Sequence, residues 1–407
     1  MRFHEFSARP GWREQTRELG YLASILDDPP YWVEALERPF CAAFERSELR
    51  DRLLPATQEL NELACALVDD VCRSKHSERY FEQLRIDSSF REPIRRSWLR
   101  HDRTLYGRFD FSYSTAHPKL LELNFDTPAS LYEAAVLQYL WLEDKRGHDG
   151  IAADAGQFNE LHDRLVAAFE QIIPKERLVH FAAMEDAPED EETAKYLQST
   201  AVLAGLQTKF FHMHRMRCNK AGVFIDDSGL AITDIFKFYP WEFLLAEDLE
   251  IQRSKGRSGL AAAVSSGMTR FIEPCWKIIL SNKACLPLLW QLAPNHKNLL
   301  PASFDDYSAE ATAIKQRPYV RKPIFGREGG SVSLVYPGDE ANNLHTESEY
   351  GGEGFILQEL NALPVYGEFH VLLGSWMVNG EPCGLGIRAD RSRITSTRTL
   401  FVPHYVH

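Results

Sequence analysis

LLELNFDTPAS, residues 120–130, alternates apolar and polar side chains: Leu121, Leu123 and Phe125 against Glu122, Asn124 and Asp126. In a strand, alternate side chains share a face. One face is therefore apolar, and the other carries carboxylate, amide and carboxylate about 7 Å apart. The preceding LYGRFDFSY, residues 105–113, alternates in the same way, and STAHP between the two supplies turn residues. Together they predict a β-hairpin. With Asp110 opposite Glu122, the loop is Thr115, Ala116 and His117, and Arg108 falls opposite Asn124. Opposed residues share a face. Arg108, Asp110, Glu122 and Asn124 then converge on one patch, while Phe109, Phe111, Leu121, Leu123 and Phe125 face the core.

Two carboxylates and an amide oxygen at one spot suit Mg²⁺, a hard cation that takes few protein ligands and leaves the rest to water and phosphate. Arg108 beside them suits a phosphate or a developing oxyanion. The bland alternative is a solvated polar face with one cross-strand salt bridge. A second signal lies far along the chain, in VRKPIFGREGGSV, residues 320–332. It places Lys322 on a strand that runs into a glycine-rich loop, whose N–H groups can approach phosphate oxygens. No GK[ST] follows the glycines, so this is not a Walker A loop.

At 407 residues the chain predicts two or three interleaved domains. A net charge of −12 argues against a general nucleic-acid binder, since a phosphate backbone would be repelled. The first twenty residues carry charge where a signal peptide needs an apolar core, and no run approaches the ~20 apolar residues of a membrane span. Seven scattered cysteines with no CxxC pair suit reduced thiols. A cytoplasmic protein is expected.

Residues 1–100 read as mostly helical, with Leu60, Leu63, Ala64, Leu67, Val68 and Val71 forming a stripe. A helix is expected after Pro128. LVHFAAM, EDEETAKYLQSTAVLAG and LQTKFFHMH then read as strand, helix and strand, and AGVFIDDSGLAIT as a hairpin. The acids of MEDAPEDEET open the helix, where negative charge is favourable, and Glu191 can pair with Lys195. The HxH of FFHMHRMRC reads as surface, and IFKFYPWEF as core packing. The last third is strand-rich, with Asn379-Gly380 as a hairpin turn.

R-F-D at 108–110, E-L-N-x-D-T-P at 122–128, SNKACLPLLW, KPIFGREGG, ILQEL and GIRAD occur here in that order. Together they resemble the synthetase part of glutathionylspermidine synthase and its smaller, amidase-less homologues labelled acid–amine ligases. The resemblance implies an α+β ATP-grasp fold, circularly permuted so that metal ligands precede the lysines. It carries a helical N-terminal segment (1–100), a first ATP-grasp portion with the metal hairpin (101–150), an inserted α/β pre-ATP-grasp-like substrate sub-domain (151–265) and the main ATP-grasp lobes (266–407).

The resemblance also implies roles. Asp110, Glu122 and Asn124 would hold Mg²⁺. Arg108 would steady the transferring phosphoryl group and the acid substrate, with Arg388 a second arginine on a loop that can close. Lys283 and Lys322 would hold ATP phosphates, Glu328 and Gly329 would cover them, and Gln358, Glu359 and Leu360 would read the adenine edge through their backbone. Lys237 and Glu242 resemble a family segment near the substrate pocket. Just after the Glu-x-Asn the family carries Ser and Cys, where this chain has Thr127, Pro128, Ala129 and Ser130. Thr127 and Ser130 are thus substrate candidates, and glutathione as the acid stays open. The implied function is an ATP- and Mg²⁺-dependent carboxylate–amine ligase working through an acyl phosphate. It would join a small-molecule or peptide acid to an amine, polyamines included, with no nucleic acid or membrane partner. A phosphotransferase or ligase for another acid, a peptide terminus included, and a catalytically silent ATP-binding regulatory or interaction protein are the alternatives.

Overall fold

The computed structural model describes residues 1–21, 31–114, 116–219, 222–255, 259–396 and 399–407. It is a mixed α/β structure built on three larger sheets and two smaller ones. The largest is antiparallel and runs Leu400–Val402, Glu381–Asp390, Phe369–Val378, Tyr106–Ser112, Lys119–Asn124, with Val365–Tyr366 added beside Phe369–Val378. Asn379 and Gly380 connect its two longest strands, with φ of 50° and 83°. A two-residue turn that follows the twist of a hairpin needs this left-handed pair, and Asn-Gly supplies it at little steric cost.

Alternation along Tyr106–Ser112 sends Phe109 and Phe111 to one face of this sheet and Arg108 and Asp110 to the other. The predicted helix Leu54–Arg73 is tied to the sheet by Thr57 Oγ1, 2.8 Å from Ser375 Oγ. Leu60, Ala64, Leu67, Val68 and Val71 of its stripe are buried and Leu63 is half-buried. A helix covering 131–145 follows Pro128, as expected. All seven residues of Tyr106–Ser112 are buried, while Glu122 and Asn124 on the partner strand are half-buried, so the polar face of the hairpin is only partly open to solvent.

The second sheet is wholly parallel, in the order Arg270–Ile272, Asp234–Phe238, Leu178–Ala183, Gln207–His212. The strand–helix–strand reading of 178–212 holds, with helix Pro188–Leu203 between the strands and Lys195 paired to Glu191. IFKFYPWEF is core, but it is also an inner strand of this sheet followed by helix Trp241–Lys255. The sheet takes its edge strand from Arg270–Ile272, beyond residue 265.

The third sheet is antiparallel: Ala302–Phe304, Phe355–Glu359, Tyr319–Pro323, Ser333–Val335, Leu344–His345. The opening hundred residues are not wholly helical. Arg2–Glu5 pairs with Phe40–Phe44, which pairs in parallel with His404–Val406. FCAAF is fully buried on both faces, so it lacks the period-2 signal that would betray a strand. Among the described residues no helix is long and apolar enough to cross a membrane.

Candidate functional site

The hairpin pairs Arg108 with Asn124 and Asp110 with Glu122, in the expected register. Beyond Asp110 the register shifts, and Phe111 faces Leu120. This β-bulge leaves Leu121 without a partner. Leu121 therefore does not join the core; it is half-buried and lines a cleft, while Leu120 is fully buried. The strands end at Ser112 and Lys119, so the connection is longer than the predicted three-residue turn; its Thr115 lies outside the described residues.

The bulge exposes two successive carbonyls, and the third sheet satisfies both. Lys322 Nζ donates to Leu121 O at 2.8 Å, and Gln358 Nε2 donates to Leu120 O at 3.0 Å. Lys322 also donates to Gln358 Oε1 at 2.8 Å. An ammonium has three donors, so one remains for a ligand. Burial pushes the Lys322 ammonium down to about 8, with Glu122 opposing and Lys283 adding to the shift.

Asp110 is fully buried and fully engaged. Arg108 grips both its oxygens, Nε to Oδ1 at 2.6 Å and Nη2 to Oδ2 at 3.0 Å. Oδ2 also accepts from Asn124 Nδ2 at 3.1 Å and Arg388 Nη2 at 2.6 Å. The same Asn124 Nδ2 lies 3.3 Å from Glu122 Oε1, and Lys283 Nζ is 3.5 Å from Glu122 Oε2. Burial alone would raise the Glu122 carboxyl, but Lys283, Lys322 and Arg388 outweigh it and hold it well below the ordinary carboxylate range.

Among the described residues no group of three or more His, Cys, Asp or Glu is arranged to hold a metal. The hairpin instead offers two carboxylates and an amide, and the two carboxylates already share one positively polarised donor. Turning the Asn124 amide so that Oδ1 replaces Nδ2 would make the donor set all-oxygen, which suits a hard divalent cation that takes its remaining ligands from phosphate and water.

A cleft opens in front of the hairpin. Asp110, Glu122, Lys283, Lys322, Gly329 and the segment Gln358–Leu360 all line it. Arg108, Asn124 and Arg388 join them through Asp110. Lys283 Nζ also donates to Gly326 O at 2.6 Å, which ties it to the glycine-rich loop. Glu328 and Gly329 hold φ of 54° and 70°. A Cβ at Gly329 would lie 2.2 Å from Thr395 O, so glycine lets this loop pack against 394–395. Glu328 itself is exposed and does not line the cleft. The backbone N–H of Glu359 donates to Pro301 O at 2.8 Å and that of Leu360 to Pro318 O at 3.0 Å. Both N–H groups expected from the resemblance to read an adenine edge are thus engaged within the fold.

The substrate candidates are brought together only in part. Arg327 Nη2 donates to Thr127 Oγ1 at 2.6 Å, and its Nε lies 3.3 Å from Glu242 Oε1. Arg327 therefore bridges two residues singled out from the sequence, yet was itself passed over between Gly326 and Glu328. Its neighbours in sequence carry no mark that separates it from them. Ser130 is not part of this bridge; its carbonyl accepts from Ala134 N and its φ is 67°. Lys237 is fully buried on Asp126, at 2.9 Å, and donates to Tyr239 O at 2.7 Å. Asp126 Oδ2 in turn accepts from Trp241 N at 2.6 Å and so anchors the start of helix Trp241–Lys255.

The sequence pattern of the family described as glutathionylspermidine synthase preATP-grasp matches residues 3–407. The chain belongs to this family. A Haemophilus influenzae protein provisionally named acid–amine ligase is 32% identical over 98% of both chains. Trypanothione synthetase of Crithidia fasciculata is 30% identical over 76% of this chain and 48% of its own length, so the chain spans about half of that relative. Among solved structures, a glutathione synthetase-like effector from Globodera pallida superposes over 90% of this chain and 89% of its own, with a TM-score of 0.55 at 11% identity. At that identity the likeness speaks to fold alone.

Proposed function

We propose that the chain is an ATP-dependent carboxylate–amine ligase with a permuted ATP-grasp arrangement, in which the parallel-sheet unit, read from sequence as 151–265, runs on to Ile272. The observation that carries this reading is the convergence of Asp110, Glu122, Lys283 and Lys322 on one cleft, from segments far apart in the chain. The two lysines hold the phosphates of ATP, and the glycine-rich loop covers them. The apolar wall that includes Val320, Leu334, Leu360 and Leu372 accepts the base. Because the N–H groups of Glu359 and Leu360 are spent on Pro301 and Pro318, the adenine edge is left to carbonyls of this segment and to groups beyond it.

A substrate carboxylate oxygen attacks the γ-phosphorus, the bond to the β-phosphate oxygen breaks, and ADP leaves. An amine nitrogen then attacks the acyl carbon of the acyl phosphate, the C–O bond to phosphate breaks, and the nitrogen sheds its proton. Asp110, Glu122 and Asn124 would hold Mg²⁺, which supplies charge neutralisation when bound. Arg108 and Arg388 face charge that develops on the phosphoryl oxygens. The carboxyl ends of parallel strands are where α/β sheets bind ligands. Lys237, Glu242 and the bridging Arg327 gather at that end of the parallel sheet, which supports an acid site beside Thr127. The net charge of −12 favours a cationic amine, polyamines among them.

Calorimetry of ATP with and without Mg²⁺, on the native chain and on Glu122→Ala, tests the reading. Mg²⁺-dependent binding that the substitution weakens, followed by acid- and amine-dependent phosphate release, is expected. Binding indifferent to both Mg²⁺ and Glu122 overturns the metal assignment. Mg²⁺-dependent binding without turnover on any acid–amine pool favours a regulatory ATP-binding protein.

A further inference from the structure

Gly374 sits in the middle of strand Phe369–Val378, directly opposite Asp110 on one side and Gly386 on the other. Its φ is not positive, so nothing in its backbone demands glycine. Glycine inside a strand weakens it and often marks a place where another group approaches closely. Here that group is Arg108. A Cβ built on Gly374 would lie 2.8 Å from Arg108 Cδ, 3.2 Å from the Gly386 carbonyl oxygen and 3.3 Å from Arg108 Nε, so Arg108 makes the tightest contact. The guanidinium then passes 5.3 Å from the centre of the Trp376 ring, whose residue pairs with Arg108 across the strands.

We propose that Gly374 is a positioning residue for Arg108: the missing side chain is the space in which the arginine lies flat across the sheet to reach both oxygens of Asp110. The inference rests on the ligase reading for the role of Arg108, and on geometry alone for the contact. To regain an ordinary carbon–carbon separation of about 3.5–4 Å, a methyl group here must push the Arg108 side chain by roughly one ångström. A shift of that size at a group that stabilises a transition state costs about 100-fold in kcat.

In ¹⁵N-arginine-labelled protein the Arg108 Nε–H resonance, identified by its loss in Arg108→Lys, is expected to move in Gly374→Ala. Acyl phosphate formation, trapped with hydroxylamine using glutathione and other trial acids, is expected to lose about 100-fold in kcat at unchanged KM for ATP in Gly374→Ala. The same substitution is expected to add nothing in an Arg108→Ala background, where the clashing Cδ is gone.

An unmoved Arg108 resonance in folded Gly374→Ala, or losses that simply add, overturns the proposal. If Gly374→Ala does not fold, combining it with Arg108→Ala should restore folding to the level of Arg108→Ala alone; failure to do so also overturns it. If the native chain forms no acyl phosphate with any acid, the ligase reading falls, and the resonance still decides the positioning role.

Discussion

Arg388 Nη2 lies 2.6 Å from Asp110 Oδ2, an oxygen that already accepts from Arg108 and Asn124. One buried carboxylate thus holds two guanidinium groups from different strands. Removing one partner of a buried charge cluster leaves uncompensated charge, at a cost of about 3–5 kcal/mol. Asp110→Asn should lower stability by that amount in urea unfolding. It should also abolish the Mg²⁺ dependence of ATP binding, read by calorimetry.

Gln358 braces Lys322 through its Oε1 while its Nε2 holds Leu120 O. Gln358→Leu leaves Leu120 O without its donor and Lys322 without one acceptor. The unsatisfied carbonyl should cost about 1–3 kcal/mol of stability. ATP affinity should fall about tenfold, equivalent to about 1.4 kcal/mol. A variant with native ATP affinity would show that Lys322 keeps its place without the brace.

Arg327 joins Thr127 to Glu242 through one guanidinium. Hydrogen bonds to a charged group contribute roughly 1.5–3 kcal/mol. Arg327→Leu should therefore raise the KM for the acid about 10- to 100-fold while ATP affinity stays near native. Equal losses for acid and ATP would place Arg327 with the phosphates instead.

His404 is fully buried, with Nδ1 2.8 Å from Gln138 Oε1 and Nε2 3.2 Å from the Phe158 N–H. Nε2 must accept, so Nδ1 carries the proton and donates. Burial pushes its titration down to about 3. In the unfolded chain it binds a proton near pH 6.5. Across that interval the unfolded state binds more protons, so stability falls as pH falls. The loss should reach about 1.4 kcal/mol by pH 5.5. His404→Gln should flatten this part of the pH profile, measured by urea unfolding at pH 7.5 and pH 5.5.

The hairpin was legible because alternation along LYGRFDFSY and LLELNFD shows which residues share a face; its register was supposed, not fixed, and holds for Arg108 and Asp110. The bulge at Leu121 was not, since one inserted residue leaves the local pattern intact and shows only in the pairing. Lys283 and Lys322 could be found by their motifs, whereas Arg327 could not, because a bridge between Thr127 and Glu242 exists only after three distant segments meet. The strand Phe40–Phe44 was missed because burial on both faces erases its period. The engaged N–H groups of Glu359 and Leu360 depend on carbonyls of Pro301 and Pro318, which no local reading of ILQEL reveals.

The strand Tyr106–Ser112 finds its neighbour in Phe369–Val378, and Phe40–Phe44 finds its own in His404–Val406. On a ribosome, the early half of each pair must therefore wait until its partner strand has emerged. A nascent chain that already carries Lys283 and Lys322 still lacks the contact between Asp110 and Arg388, so the buried carboxylate has only Arg108 and Asn124 for company until the strand Glu381–Asp390 is made.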